Sequence, residues 1–116
     1  MKIIIAGAGD VGFHLAKLLA SESHDIYLLD KSEERLSAVS SQIDVFTIAG
    51  DAKSVEIMEQ ELISTCDLLI AVTSSEETNL LTCIIGKKLG AKRTIARIND
   101  VNIIKGYCKP AIITKL

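Results

Sequence analysis

Three glycines, Gly7, Gly9 and Gly12, form a Gly-x-Gly-x-x-Gly pattern between an apolar run and a helical pattern. In this context the first glycine permits a tight turn, the second lets a pyrophosphate approach the backbone, and the third lets the helix lie close to the strand. The free N–H groups of the helix start, around Asp10 and Val11, would face the phosphates. Alone, the pattern is also compatible with a turn that only packs a strand against a helix.

An acidic residue supports the nucleotide interpretation. Asp30 closes the next apolar run and follows Gly12 by 18 positions, where a ribose-binding carboxylate is expected. Such a carboxylate accepts hydrogen bonds from the ribose hydroxyls and repels a 2′-phosphate, so NADP is disfavoured, while NAD, ATP, ADP and S-adenosylmethionine are all compatible. The alternative is that Asp30 only precedes a helix starting near Ser32, where negative charge is favourable.

Short apolar runs alternate with helical segments along the chain, which predicts βαβ units around a parallel sheet. The predicted strands are Lys2–Ala6, Asp25–Asp30, Asp44–Ala49, Asp67–Thr73 and Thr94–Ile98, buried on both faces. The predicted helices are Val11–Ser21, Ser32–Ser41, Ser54–Leu62 and Ser75–Leu89; for the last, Ser74 and Glu77 have the spacing of a capping box and Gly90 is expected at the C′ position. The fold class is therefore α/β, a doubly wound parallel sheet in a single three-layer domain.

Further candidate residues lie at the carboxyl ends of strands, where ligands bind in open α/β sheets. Asp51 and Ala52 follow the third strand and could contact an adenine edge, or equally form a turn that caps the next helix. Thr73 ends the fourth strand, where chemistry alone favours a helix cap over a phosphate contact. Arg97 ends the fifth strand and could reach a pyrophosphate, or equally pair with Asp100 at the surface.

Composition limits the function classes. The net charge of −2 and the scarcity of aromatic residues, two Phe and two Tyr, argue against nucleic acid as a partner. The apolar runs are too short to span a bilayer and the amino terminus lacks the layout of a signal peptide, so we expect a cytosolic chain. The three cysteines are read as reduced thiols, with Cys83 in the core, and no spacing predicts a metal site.

Together these motifs resemble the RCK/KTN (TrkA N-terminal) domain over about residues 1–98. The resemblance rests on GAGDVG, the Asp30 that follows two leucines, AGDA around Asp51, EETN after Thr73, and Ile-Ala-Arg97. It implies a Rossmann-type domain that binds NAD(H) or ATP/ADP and forms homo-oligomers, dimers or tetramers. It also implies a Trk-type membrane potassium channel subunit as partner, and hence a peripheral position at the inner face of the cell membrane.

The resemblance also assigns roles to residues. It implies that the glycine loop from Gly7 to Gly12 surrounds the phosphates, that Asp30 holds the adenosine ribose, and that Asp51 and Ala52 flank the adenine. Thr73 and Arg97, with Glu77 and Asn79, would lie near the distal phosphates or at a subunit contact.

Two further expectations concern the boundary of the domain and whether the chain is an enzyme. Residues 99–116 do not read as the helix and sixth strand usual in this family, so we expect the nucleotide-binding domain to span 1–98, followed by an atypical tail in a truncated fragment. The competing function is the coenzyme-binding domain of an NAD-dependent dehydrogenase. No poised His, Lys–Tyr or Cys–His arrangement is found for hydride transfer, so we predict that the chain is not an enzyme.

Overall fold

The computed structural model describes residues 1–54 and 61–98, together with the backbone of a short strand at 113–114. Its strands are β1 (Lys2–Ala6), β2 (Asp25–Asp30), β3 (Phe46–Ala49), β4 (Leu68–Ala71), β5 (Arg93–Arg97) and β6 (Ile113–Thr114). The helices in the described part are α1 (Asp10–Ala20), α2 (Glu33–Ser40), α3 (Glu61–Ser64) and α4 (Glu76–Lys88). All strands pair in parallel, in the order β3-β2-β1-β4-β5-β6.

Strand β1 lies at the centre of the sheet. Ile3 is in register with Ile26 of β2 and with Leu68 of β4, and Ile3, Ile4 and Ile5 are at most 1% exposed. This burial on both faces confirms the interpretation of the unbroken apolar run. The strand order reverses between β1 and β4, which opens a crevice at the carboxyl ends of the strands.

Helices cover both faces of the sheet. Ile3 and Ile5 point to one face, where they share a core with Leu36 of α2 and residues of α1. Ile4 points to the other face, because successive strand residues alternate, and packs in a core with Ile63 of α3. The predicted α/β fold, a Rossmann-like doubly wound sheet in three layers, is confirmed.

Several element ends differ from the sequence predictions by one or two residues. Strand β4 ends at Ala71 and not at Thr73, because the Thr73 amide donates to the Asn79 side chain and not to a neighbouring strand. The predicted capping box is wrong by one position: Ser75, not Ser74, is the N-cap of α4 and accepts a hydrogen bond from the Thr78 amide.

Three further predictions concern the residue after α4, the helix before β4 and the cysteines. Gly90 has a φ of 114°, as expected for the residue after a helix. Residues 55–60 lie outside the described ones, so only the end of the helix predicted over Ser54–Leu62 can be compared. Helix α3 ends at Ser64, two residues beyond the predicted end. Cys66 and Cys83 are free and buried, which confirms Cys83 as a core residue, whereas Cys108 lies outside the described residues.

Five strands were predicted, and the sheet has a sixth. Strand β6 pairs with the end of β5, with Thr114 opposite Arg97. It lies within the segment that was expected to be an atypical tail. The domain boundary at residue 98 remains a prediction, and residues 99–112 are not described by the structure.

Candidate functional site: a cleft at the carboxyl ends of the strands

The glycine-rich loop is fixed by two close backbone approaches. Gly7 has a φ of 115°, a conformation that disfavours any side chain, and it lies against the backbone of Val72 and Thr73. A Cβ atom on Gly12 would come within 1.8 Å of the Gly7 carbonyl oxygen. Both glycines therefore serve the fold itself, by joining β1, β4 and α1 without a gap.

Gly9 differs from the other two glycines. Apart from Gly9 itself and its two neighbours in the chain, no atom lies within 4 Å of the position that its Cβ would occupy, and its φ of −77° is open to any residue. Nothing in the described fold therefore requires glycine here. The space in front of Gly9 faces the cleft that the strand ends form.

The amino end of α1 is uncapped, unlike the starts of α2 and α4. The N-cap of α1 is Gly9, which has no side chain to accept a hydrogen bond, whereas Ser32 and Ser75 cap the other two helices with their hydroxyl oxygens. The first N–H groups of a helix have no partners within the helix. In α1 these donors, reinforced by the helix dipole, point toward the cleft and can receive an anion.

Asp30 is a structural acceptor as well as a candidate ligand for ribose. One carboxylate oxygen accepts a hydrogen bond from the Ala8 amide at 2.8 Å, and the other accepts one from the Ser32 amide at 2.8 Å. Its side chain is 11% exposed, with the Arg35 guanidinium 4.0 Å away. Each carboxylate oxygen has two lone pairs, so the carboxylate retains acceptor capacity toward the cleft.

The loop after β3 places Asp51 and Ala52 on the cleft wall. Asp51 accepts a hydrogen bond from the Lys53 amide at 2.9 Å and lies 3.6 Å from the Lys31 ammonium group. The hydrogen bond from Lys53, with the positive charge of Lys31, lowers the pKa of Asp51 below its ordinary value. Ala52 is buried, and its carbonyl oxygen accepts from the Thr82 hydroxyl at 3.3 Å.

The opposite wall is formed where β4 and β5 end. Thr73 and Arg97 both line the cleft there. The Asn79 side chain, fully buried on α4, joins the backbones of the two residues. Asp100, the alternative partner of Arg97, lies outside the described residues.

These parts enclose one open cleft of about 880 Å³, within the size range of small-molecule sites. Nine of the ten predicted site residues line it: Gly7, Gly9, Asp10, Val11, Asp30, Asp51, Ala52, Thr73 and Arg97. The tenth, Gly12, is buried beneath the loop. Their roles toward a ligand remain predictions.

Sequence reasoning missed two cationic residues of the cleft. Lys31 and Arg35 line it beside Asp51 and Asp30. Their signal was their position: Lys31 follows Asp30 directly, and Arg35 lies three residues after the N-cap Ser32. With Arg97 they give three positive charges, against four lining acids: Asp10, Asp30, Glu34 and Asp51. A bound phosphate group would therefore depend strongly on backbone N–H donors.

The described residues contain no group of three or more His, Cys, Asp or Glu side chains that could hold a metal ion. Nor does any helix in that part of the chain combine the length and apolarity needed to cross a membrane.

The strand order, the glycine-rich loop and the acid at the end of β2 define a Rossmann-like domain with its cleft at the switch point of the sheet. A family model described as the TrkA-N domain matches residues 3–113. The chain belongs to this family.

Curated relatives carry Trk names. The chain is 40% identical over 100 residues to a Trk system potassium uptake protein TrkA homolog of Archaeoglobus fulgidus, covering 86% of this chain and 22% of the relative. It is 31% identical over 112 residues to the corresponding homolog of Methanothermobacter thermautotrophicus, covering 97% of this chain and 52% of the relative. The chain thus spans at most about half the length of these relatives.

Solved structures share the fold. The TrkA-N domain of the Escherichia coli inner membrane protein ybaL has a TM-score of 0.83 at 18% identity, with 97% of this chain and 85% of that one covered. The GsuK channel bound to NAD has a TM-score of 0.78 at 14% identity, covering 96% and 21%. The Kef carboxyl-terminal domain of Shewanella denitrificans in an AMP-bound form has a TM-score of 0.71 at 22% identity, covering 98% and 70%.

Proposed function

We propose that this chain is a nucleotide-sensing regulatory domain that binds NAD(H) or ATP/ADP in the cleft. One observation carries the proposal: the uncapped amino end of α1 and the Asp30 carboxylate lie at the same edge of the sheet and line one cleft. A nucleoside phosphate requires N–H donors for its phosphate groups and, beside them, an acceptor for its ribose hydroxyls.

The proposed pose follows the order of groups along the cleft. The ribose hydroxyls donate to Asp30, and the α- and β-phosphates lie against the N–H groups that follow Gly9. The adenine lies toward Asp51 and Ala52. The second nucleoside of NAD, or the terminal phosphate of ATP, extends toward Thr73 and Arg97.

A regulatory role is supported by the relatives, whose names describe potassium uptake. We propose that the domain acts on a Trk-type membrane potassium channel subunit, as a dimer or tetramer held at the inner face of the cell membrane. Ligand binding would control transport only as far as the ligand binds one arrangement of the assembly more tightly than the other.

We also propose that the chain is not an enzyme. Hydride transfer by a dehydrogenase usually requires a proton donor beside the nicotinamide. The described residues that line the cleft include no His, Tyr or Cys side chain. Oxidation of NADH by the purified chain with a panel of carbonyl substrates would contradict this part of the proposal.

The test is calorimetric titration of the purified chain with NADH, NAD, ATP, ADP and S-adenosylmethionine. We expect saturable binding of one or more NAD(H) or adenine nucleotides at one site per chain, and weaker binding to the Gly9→Ala variant. Binding of S-adenosylmethionine alone, or of no nucleotide, would overturn the proposal.

A further inference from the structure

Asn79 is the most completely bonded side chain beside the cleft. It is fully buried in the first turn of α4. Its Oδ1 accepts hydrogen bonds from the Thr73 amide at 2.8 Å and the Thr73 hydroxyl at 2.6 Å. Its Nδ2 donates to the carbonyl oxygens of Thr73 at 3.1 Å and Arg97 at 2.9 Å.

These four bonds use the whole capacity of the side-chain amide, which has two donors and two acceptor lone pairs. The orientation of the amide is fixed as well, since a flip would place the NH₂ group against the Thr73 amide and the oxygen against two carbonyls. Asn79 thus joins Thr73, which lies two residues beyond the end of β4, to Arg97 at the end of β5. The two strands are adjacent in the sheet.

Both strand ends bear side chains of the cleft wall, whereas Asn79 itself is not among the lining residues. We infer that Asn79 is a positioning residue, which holds Thr73 and Arg97 in the arrangement that receives the part of a ligand beyond the α-phosphate. This inference rests on the proposed function. On this inference Asn79 controls the discrimination between short and long adenine nucleotides, although its side chain contacts neither.

The substitution Asn79→Asp tests this role with almost no change in shape. Aspartate keeps acceptor oxygens for the Thr73 amide but has no NH₂ group, so the Thr73 and Arg97 carbonyls lose their donor. A buried carbonyl oxygen without a donor is unfavourable, so both backbones would shift from the arrangement that receives the ligand. We therefore expect the affinity for NADH, which reaches this wall in the proposed pose, to fall by about tenfold or more, a change equivalent to about 1.4 kcal/mol.

AMP serves as the short probe, because its only phosphate lies at the glycine-rich loop in the proposed pose. We expect its affinity to change by less than about twofold. The ratio of the two affinities is insensitive to partial unfolding, because a smaller folded fraction lowers the apparent affinity for both ligands by the same factor. A purely structural role of Asn79 would therefore leave the ratio unchanged, and that result would overturn the inference.

Thr82→Val provides a matched control on the same helix. Thr82 is also fully buried, and its hydroxyl donates to the Ala52 carbonyl on the other wall of the cleft. Valine has nearly the same shape and removes this single bond. Because both AMP and NADH contain adenosine, we expect this variant to leave their affinity ratio at the wild-type value. A ratio shifted as far as in Asn79→Asp would contradict a specific role for Asn79.

A second measurement needs no variant and covers the case in which Asn79→Asp does not fold. The Thr73 amide donates directly to Asn79, so its hydrogen exchange in the wild-type chain reports this contact. We expect NADH to slow that exchange and saturating AMP to leave it unchanged; equal slowing by both would overturn the inference. Failure of the wild-type chain to bind either ligand would refute the proposed function, whereas binding with an unchanged ratio refutes only the role of Asn79.

Discussion

The Asp30 carboxylate holds the glycine-rich loop through a 2.8 Å hydrogen bond from the Ala8 amide. Substituting Asp30 would therefore disturb the loop and the ligand together, so the ribose contact is better tested by changing the ligand. We expect wild-type chain to bind NADPH at least about tenfold more weakly than NADH, because the 2′-phosphate is repelled by the carboxylate. Competition titrations measure this difference, and equal affinities would show that Lys31 and Arg35 offset the charge of Asp30.

The three glycines of the loop should separate into two classes on substitution by alanine. We expect Gly12→Ala to destabilise the fold by about 3 kcal/mol or more, because its Cβ would overlap the Gly7 carbonyl oxygen. Gly9→Ala should leave the melting temperature nearly unchanged and weaken nucleotide binding, since its Cβ would meet no neighbouring part of the fold and Gly9 lines the cleft. Thermal unfolding and calorimetry on both variants check this, and a Gly9→Ala chain with wild-type affinity would contradict it.

Low pH should remove the contribution that the Asp67 carboxylate makes to the stability of the fold. Its carboxylate accepts the Lys2 amide hydrogen bond at 2.9 Å and lies 3.1 Å from the Lys92 ammonium group, and these contacts lower its pKa below 3.8. A lowered pKa in the folded state stabilises the fold above pH 3.8, and the contribution is lost as the pH falls through the folded-state value.

We therefore expect the melting temperature of the wild-type chain to fall more steeply than that of Asp67→Asn between about pH 5 and about pH 2. The asparagine variant keeps an acceptor for the Lys2 amide but does not titrate. NMR titration of the Asp67 carboxyl carbon provides a direct check. A midpoint at or above 3.8, or parallel melting curves, would contradict the prediction.

The two described thiols should be inert in the folded chain. Burial raises the pKa of Cys83 to about 12 and also raises the pKa of Cys66. Since the thiolate is the reactive form, iodoacetamide at about pH 8 should leave the peptides that contain Cys66 and Cys83 unmodified, as read by mass spectrometry. The same treatment in urea should modify both, and rapid labelling of Cys83 without denaturant would contradict the prediction.

Much of the fold was predictable from local patterns. The bounds of β1 and β2 match the sequence predictions, because each apolar run is bounded by clear turn signals. The sixth strand was not predicted: it is two residues long and carries no periodicity that a sequence reading can detect. Its pairing with β5 depends on the edge that β5 offers and not on its own sequence.

The candidate site was predictable where a backbone requirement selects the residue type. The glycines and Asp30 are examples, since turn geometry and strand ends place them. Lys31 and Arg35 were missed because exposed Lys and Arg side chains are common on protein surfaces. Only the structure shows that they lie beside Asp51 and Asp30 in the cleft. Asn79 was noted only for a looser role, because its four hydrogen bonds join residues that the sequence does not bring together.

The central place of β1 has a consequence during synthesis of the chain. Ile3 is translated before its partner Leu68 in β4, which follows only after the intervening helices and strands. Until then one edge of an almost wholly apolar strand stays unpaired, and such edges promote association between nascent chains. Ribosome-bound intermediates should therefore depend on chaperones until Ala71, the end of β4, has emerged from the ribosome, after which the sheet can close around β1.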